Sequence, residues 1–297
     1  MRLAAIDIGS NAARLLIMDV IEGPQSKPDF IKLTLVRVPL RLGFDVFERG
    51  EISPDKVDMF IKTLQAYKLL IDVYQVKDYI AAATSAMRDA ANAKDILSRA
   101  KRESGIDIKV ISGDEEANYI YESHVAENLG SDESYLYIDV GGGSTELTFF
   151  SDGKLVAKQS FNIGTIRLLK NQVTEEHWDE MKRFIKQKTS GYHHITPIGS
   201  GGNINKIFSL SKRKEGRPLA LELLRNYYKE FSSISLSQRI SLYGLREDRA
   251  DVIVPALLIY INVMRWADAD EIFVPKIGLA DGLIHILYEQ SKNVAPV

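Results

Sequence analysis

The stretch that decides the fold runs from Tyr135 to Phe150 and reads Y-L-Y-I-D-V-G-G-G-S-T-E-L-T-F-F. An apolar run leads into Asp139, three glycines follow, and a second apolar run resumes after Glu146. This pattern predicts a strand, a glycine loop and a second strand. Because glycines have no Cβ, we expect the loop to adopt φ values forbidden to other residues and to bring its N–H groups close to an anion. The carboxylates of Asp139 and Glu146 would then suit a Mg²⁺ ion bridging to phosphate oxygens.

Two common phosphate-binding patterns are absent from this stretch. A P-loop needs G-K-[ST] followed by a helix, and a dinucleotide fold needs G-x-G-x-x-G opening a helix. Here the chain continues as a strand after Glu146, so a hairpin rather than a helix N-terminus would hold the phosphate. The alternative is a tight hairpin with a polar turn, which three glycines would weaken without benefit.

The composition is that of an ordinary globular protein. The chain has 297 residues, of which 45% are hydrophobic and 26% are charged, with a formal net charge of -2. This charge gives no general attraction to nucleic acid or to a membrane. There is no cysteine, which favours a reducing cytoplasm. We expect the N-terminal residues to form a buried strand rather than a signal peptide, and no run of about 18 apolar residues predicts a membrane span.

A second strand-turn-strand pattern lies near the start of the chain. Apolar residues lead into D-I-G-S-N at Asp7 to Asn11, and a strand resumes at Arg14. This repetition predicts an internal duplication with a cleft between two related domains. We place the domains at residues 1–125 and 126–297, with the closing helix at 280–297 packing back on the first domain.

Other candidate residues follow predicted strands. Ser85 and Arg88 come directly after a buried strand, where open α/β sheets bind ligands, although Arg88 alone could equally form a surface ion pair. Arg167 is a further candidate for the cleft. A third glycine turn resembles a phosphate or nucleotide loop at Gly201, Gly202 and Asn203. The densest basic segment could guide a polyanion or be a surface loop, and it contains Lys212, Arg213, Lys214 and Arg217.

Glu116 lies in the first turn of a predicted helix that opens with a capping box at Ser112 to Glu115. Acidic residues suit this position because of the helix dipole, which accounts for Asp114 and Glu115. Composition alone does not decide the role of Glu116.

Taken together, the motifs D-I-G-S-N, R-L-G, A-T-S-A-M-R-D-A-A-N, V-I-S-G-D-E-E-A, D-V-G-G-G-S-T-E and R-A-D-V-I resemble the exopolyphosphatase and guanosine pentaphosphate phosphohydrolase family, in order and over nearly the whole chain. The resemblance implies two duplicated actin-like ATPase domains of ribonuclease H-like α/β fold, with the active site in the interdomain cleft. It implies hydrolysis of the terminal phosphate of polyphosphate, or of the 5′ γ-phosphate of guanosine pentaphosphate, with Mg²⁺ or another divalent cation.

The resemblance also assigns roles to residues. Glu116 resembles the family's catalytic base, and Asp139 and Glu146 resemble its metal-associated acids. The phosphate-binding residues that we expect are Ser10, Asn11, Arg14, Ser85, Arg88, Gly141, Gly142, Gly143, Ser144 and Thr145. A homodimer is a further expectation, as is a short form without extra C-terminal domains, which puts processive action on long polymers in doubt.

Two departures from the family pattern bear on function. S-N-S is replaced by S-N-A at Ala12, and L-R-E-G is replaced by L-A-D-G at Ala280 and Asp281. These changes leave a polyphosphate sensor without turnover as an alternative. Another alternative is an actin-like or sugar-kinase-like ATPase, which would need an adenosine pocket and no acid of the Glu116 type.

Overall fold

The structure is a computed structural model that describes residues 1–23, 28–122, 133–192, 194–275 and 278–293. The chain divides into two compact units. Unit 1 comprises Met1–His124 with Gly278–Val297, and unit 2 comprises Val125–Ile277. The predicted domain boundary at 125/126 lies outside the described residues.

The strands are β1 (Arg2–Ile8), β2 (Ala13–Ile21), β3 (Asp29–Val38), β4 (Asp78–Ala83), β5 (Lys109–Val110), β6 (Ser134–Val140), β7 (Thr145–Ser151), β8 (Lys154–Phe161), β9 (Ile195–Ser200), β10 (Leu219–Ala220) and β11 (Glu271–Ile272). The helices are α1 (Leu42–Arg49), α2 (Pro54–Val73), α3 (Ser85–Asp89), α4 (Ala93–Ser104), α5 (Gly113–Glu122), α6 (Thr165–Leu169), α7 (Glu175–Lys188), α8 (Gly202–Leu210), α9 (Leu221–Ser233), α10 (Leu236–Tyr243), α11 (Glu247–Ala250), α12 (Ile253–Trp266) and α13 (Leu279–Asn293).

The two units repeat one sheet topology. Unit 1 has the strand order β3-β2-β1-β4-β5, and unit 2 has the order β8-β7-β6-β9. In both, three antiparallel strands are followed by a strand that pairs in parallel with the first, β4 with β1 and β9 with β6. A parallel bridge between Ile198 and Phe273 brings the end of β11 beside β9, at the place that β5 takes in unit 1. The strand pairings thus repeat as the predicted duplication requires.

Each sheet is covered by an apolar helix that the sequence pattern explains. In unit 2, α12 reads I-V-P-A-L-L-I-Y-I-N-V-M-R-W, which is apolar on most sides, and most of its residues are buried in the core of this unit. In unit 1, α13 buries Leu283 and Ile284 against β1 and β4. The departure at Ala280 lies in this core, while Asp281 pairs with Lys32 at 2.5 Å. The two helices close the layers that hold the hairpins in place.

No helix in the described part of the chain combines the length and the apolar character needed to span a bilayer.

Candidate functional site

The hairpin of β6 and β7 places two carboxylates opposite each other. The register pairs Asp139 with Glu146 in the second pair from the loop, so both side chains project from one face of the sheet. A carboxylate oxygen of one lies within 4.8 Å of a carboxylate oxygen of the other. Glu146 is only 3% exposed, and two like charges this close are costly without a counter-charge. The donor set therefore fits a hard divalent cation.

The carbonyl groups of the glycine loop all bond to the N-terminal end of α6. The N–H of Thr165 donates to the Gly141 carbonyl at 3.0 Å, and the N–H of Ile166 donates to the Gly142 carbonyl at 2.9 Å. The third carbonyl, of Gly143, accepts from Arg167 Nε at 2.8 Å. Three consecutive peptide groups are thus held in one orientation by a neighbouring segment of the same unit.

This arrangement orients the N–H groups of the loop. In a trans peptide the N–H points away from the C=O of the same plane, and no cis peptide is present among the described residues. With the carbonyls of residues 141–143 turned toward α6, the N–H groups of Gly142, Gly143 and Ser144 turn to the opposite side. Successive N–H groups on one side form a concave anion-binding surface.

The backbone angles of the glycine loop differ from our expectation. None of Gly141, Gly142 and Gly143 has a positive φ, so the prediction of φ values forbidden to other residues is wrong. Close packing constrains this region instead. A Cβ on Gly164, just before α6, would lie 2.3 Å from the Gly142 carbonyl oxygen. The backbones approach too closely for a side chain at that position.

Thr145, predicted to bind phosphate, is fully buried, and its hydroxyl donates to the Ile163 carbonyl at 2.6 Å. This bond ties the start of β7 to the segment before α6. Ser144 is also buried, at the end of the loop. The structure therefore gives Thr145 a role in holding the loop against its support.

The second predicted loop lies beside Asp139. Gly201 has a φ of 105°, and a Cβ there would be 3.1 Å from Asp139 Oδ1. Only glycine adopts this backbone without strain. Asn203 follows in the first turn of α8. Two side chains outside the prediction hold this loop: Tyr260 donates to the Ser200 carbonyl, and Arg249 donates to the Gly202 carbonyl.

Tyr260 is fully buried in α12. Burial, followed by the negative charge of Asp139, raises the pKa of Tyr260 well above its usual value. The phenol therefore remains protonated and keeps donating to the backbone that shapes the second loop.

In unit 1, the loop between β1 and β2 is built in the same way. The N–H of Gly9 donates to the Ala12 carbonyl at 3.0 Å, as that of Gly141 donates to Ser144 at 2.9 Å. The carbonyls of Ser10 and Asn11 accept from the backbone at the start of α1, at 2.8 Å and 3.0 Å. The N–H groups of Asn11 and Ala12 therefore point to the other side. The R-L-G motif at residues 41–43 supplies both donors.

The remaining predicted phosphate ligands of unit 1 have partners. Arg14 Nη1 donates to Asp7 Oδ2 at 2.6 Å, in an ion pair across the hairpin. The hydroxyls of Ser10 and Ser85 are hydrogen-bonded at 2.8 Å and buried, so the structure brings these two predicted residues together. Arg88 donates to the Ile111 carbonyl at 3.1 Å and lies 3.8 Å from Asp89. The surface ion pair weighed for Arg88 is thus present, though long.

Glu115 rather than Glu116 caps α5. The N–H of Ser112 donates to Glu115 at 2.9 Å, and the Ser112 hydroxyl accepts from the N–H of Glu115 at 3.1 Å, which is the predicted capping box. The hydrogen bond from Lys109 holds the pKa of Glu115 below its usual value. Glu116 is buried, unlike its neighbour, and the cap does not require it.

The predicted polyanion guide lies after the end of α8. Its four basic side chains are all exposed. Exposure is what either a polyanion guide or a surface loop requires, so the two interpretations remain open.

Each hairpin belongs to a row of four residues that runs across its sheet, which we call the transverse row. In unit 1 the row is Arg37, Arg14, Asp7 and Ala82. In unit 2 it is Ser160, Glu146, Asp139 and Ser200. Because partners in register share a face, each row lies on one side of its sheet. The unit 1 row carries a net positive charge and the unit 2 row two negative charges.

The sequence as a whole matches a known protein family. The sequence profile of the Ppx/GppA phosphatase family matches residues 25–290. The chain belongs to the Ppx/GppA phosphatase family. Family membership confirms the predicted resemblance and the predicted enzyme class, a hydrolase of phosphate bonds.

Proteins that are similar to this chain align with 96% or more of its length. A bifunctional 3-dehydroquinate synthase/phosphatase of Fusobacterium nucleatum is 28% identical over 98% of this chain, which spans 46% of that protein. Exopolyphosphatase 1 of Mycobacterium tuberculosis is 26% identical, over 96% of this chain and 87% of its own length. The crystal structure of an Aquifex aeolicus Ppx/GppA family member is 29% identical, covers 100% of this chain and 99% of its own, and has a TM-score of 0.75.

The likeness to solved structures confirms the predicted fold, an actin-like ATPase fold with two α/β sheets. Sequence reasoning did not single out Asp7, Ser160, Arg249 and Tyr260, which the structure places at or beside the candidate residues. The R-A-D-V-I motif contains Arg249 and was a signal for it. The positions of Ser160 and Tyr260 could be found only from the strand register and the helix packing.

Proposed function

We propose that this chain is a Mg²⁺-dependent exopolyphosphatase that hydrolyses the terminal phosphate of inorganic polyphosphate. The observation that carries the proposal is the arrangement in unit 2, where the Asp139 and Glu146 pair borders a loop with three N–H groups turned to one side. A cation site next to an anion site suits a phosphate chain. The Ppx/GppA membership and the exopolyphosphatase relatives support the same substrate class.

The proposed roles divide between binding and proton transfer. The N–H groups of Gly142, Gly143 and Ser144 bind oxygens of the terminal phosphate, and the second loop keeps Asp139 in position. Asp139 and Glu146 would hold the cation, which supplies charge neutralisation when bound. Phosphoryl transfer proceeds through a loose transition state. Positioning of the reacting groups and neutralisation of the phosphate charge therefore account for most of the catalysis.

Glu116 is the proposed general base. The oxygen of an in-line water forms the new bond to the terminal phosphorus, and the bond from phosphorus to the bridging oxygen breaks with its electron pair leaving on the shortened chain. The proton released by the water passes to the Glu116 carboxylate. Support comes from the family motif and from the finding that Glu115, not Glu116, makes the helix cap.

Parallel turnover assays with polyphosphate, guanosine pentaphosphate and ATP test the proposal. We expect phosphate release from polyphosphate that requires Mg²⁺ and is lost in Glu116→Gln. Faster release from guanosine pentaphosphate would assign the second family activity, and faster release from ATP would assign an ATPase. Tight polyphosphate binding with no turnover of any of the three would identify a sensor and overturn the enzyme assignment.

A further inference from the structure

Ser160 is the first residue in the transverse row of unit 2, and Glu146 lies between it and Asp139. It lies in β8, directly opposite Glu146 in β7, and β6 with Asp139 lies on the other side of β7. The Ser160 hydroxyl donates to Glu146 Oε1 at 2.8 Å. An ionised carboxylate can only accept, so the direction of this hydrogen bond is fixed.

The consequence for Glu146 follows from its chemistry. A glutamate side chain has several rotatable bonds, and its carboxylate is nearly buried beside a like charge. A hydrogen bond from the β8 side selects one side-chain conformation and keeps one oxygen toward β8.

We propose that Ser160 is a positioning residue for the cation site, acting through Glu146. This inference rests on the proposed function, in which Asp139 and Glu146 hold a divalent cation. Groups that orient metal-binding carboxylates through hydrogen bonds commonly affect metal affinity, by about 10- to 100-fold when removed. In unit 1 the same row position holds Arg37, next to Arg14, so this serine belongs to the acidic row only.

The test measures Mn²⁺ binding to the substrate-free protein by the loss of the free-ion electron paramagnetic resonance signal. We expect Ser160→Ala to weaken Mn²⁺ binding by about tenfold, the lower end of the range for such groups. Ser160→Thr keeps the hydroxyl and suits a strand, so it should restore binding.

The matched control uses another serine pair of the same sheet. Ser134 and Ser151 are hydrogen-bonded at 3.0 Å at the far end of the β6 and β7 hairpin, away from both carboxylates. Ser151→Ala also removes one hydroxyl hydrogen bond, so it should lower the melting temperature by a similar amount and leave Mn²⁺ affinity unchanged. Equal Mn²⁺ affinity in Ser160→Ala and wild type, or an equal loss in Ser151→Ala, would overturn the proposal.

A further variant separates this inference from the proposed function. Glu146→Gln should lose Mn²⁺ binding outright. If it does and Ser160→Ala does not, the role of Ser160 fails and the cation site stands. If the wild-type protein binds no Mn²⁺ or Mg²⁺, the cation site fails, and the role of Ser160 fails with it.

Discussion

The hairpins of unit 1 and unit 2 share one backbone and differ in charge. Both have the same register, the same loop length, the same closing hydrogen bond, and loop carbonyls bound by the segment that starts the next helix. Their transverse rows carry opposite net charges, because unit 1 has arginine at positions 37 and 14 where unit 2 has Ser160 and Glu146. The fold therefore supplies the oriented N–H groups twice, and two side chains decide which ion each row attracts.

This difference assigns separate tasks to the two hairpins. In unit 1, Asp7 is neutralised by Arg14, so the row offers little to a cation. In unit 2, Asp139 faces another carboxylate, and a cation would relieve their repulsion. The predictions below test that separation.

The largest effect is expected for Glu116→Gln, which should lower kcat by about 10²- to 10⁴-fold because glutamine cannot accept the proton. Mn²⁺ affinity and polyphosphate affinity should stay near wild type, since both are assigned to other groups. The measurements are steady-state kinetics and metal titration on one preparation.

Glu115→Gln is the control for Glu116→Gln, since it makes the same substitution at the neighbouring position and leaves the proposed base intact. Glutamine can still complete the capping box, so the variant should lose only the exposed ion pair with Lys109, about 0–1 kcal/mol, and retain its rate. If Glu116→Gln keeps more than about a tenth of wild-type kcat, the loss of rate is smaller than general-base catalysis contributes. That result would show that Glu116 is not the general base.

Removing one carboxylate from each transverse row compares the two units. Glu146→Gln should lower Mg²⁺-dependent turnover by about 100-fold or more, since metal-based charge stabilisation is worth several kcal/mol. Asp7→Asn should destabilise the protein, because it leaves Arg14 without its carboxylate, yet the Mg²⁺ titration midpoint should not move. A shift of that midpoint in Asp7→Asn would place part of the cation site in unit 1.

Gly164→Ala tests whether the contact with the start of α6 holds the glycine loop in place. Its Cβ would collide with the backbone of residues 142 and 143, so α6 or the loop must move. We expect a loss of about 1–3 kcal/mol in the free energy of unfolding, which is typical of overpacking, with weaker phosphate binding. Gly278→Ala is the control, because a Cβ there meets no atom within 4 Å. Equal phosphate affinity in Gly164→Ala and wild type would show that the loop does not depend on α6.

The smallest effects are expected for two hydrogen bonds at the ends of the parallel strands β4 and β9. Tyr260→Phe removes the bond to Ser200 in unit 2, and Ser85→Ala removes the bond to Ser10 in unit 1. Each should cost about 0.5–1.5 kcal/mol of stability by urea unfolding. Only Tyr260→Phe should also weaken Mn²⁺ binding, since its loop touches Asp139. An effect of Ser85→Ala on Mn²⁺ would contradict the separation.

Much of this architecture was predictable from local sequence. Each hairpin lies within a stretch of about twenty residues, and two apolar runs joined by a short glycine turn indicate its register. The pairing of Asp139 with Glu146 follows from that register alone. The capping box at Ser112 and Glu115 is equally local, and the structure has it as predicted.

The rest depends on pairings that local patterns do not encode. Ser160 meets Glu146 only because β8 pairs with β7 through a register shift between Phe149 and Phe150. Arg249 and Tyr260 contact the second loop from helices that follow it, 47 and 60 residues further along the chain than their bonding partners. The expectation of unusual φ angles failed because close packing of Gly164, rather than a left-handed turn, constrains the loop.

The hydrogen bonds from α6 to the loop carbonyls have a consequence for how phosphate affinity depends on salt concentration. Peptide N–H groups act at hydrogen-bond range, well inside the Debye length of about 8 Å at physiological salt. Affinity that comes from the glycine loop should therefore change little as salt is added. Attraction by the exposed segment from Lys212 to Arg217 acts through solvent and should fade. The salt dependence of KM for short and long polyphosphates would then separate the capture of a chain from the holding of its last phosphate.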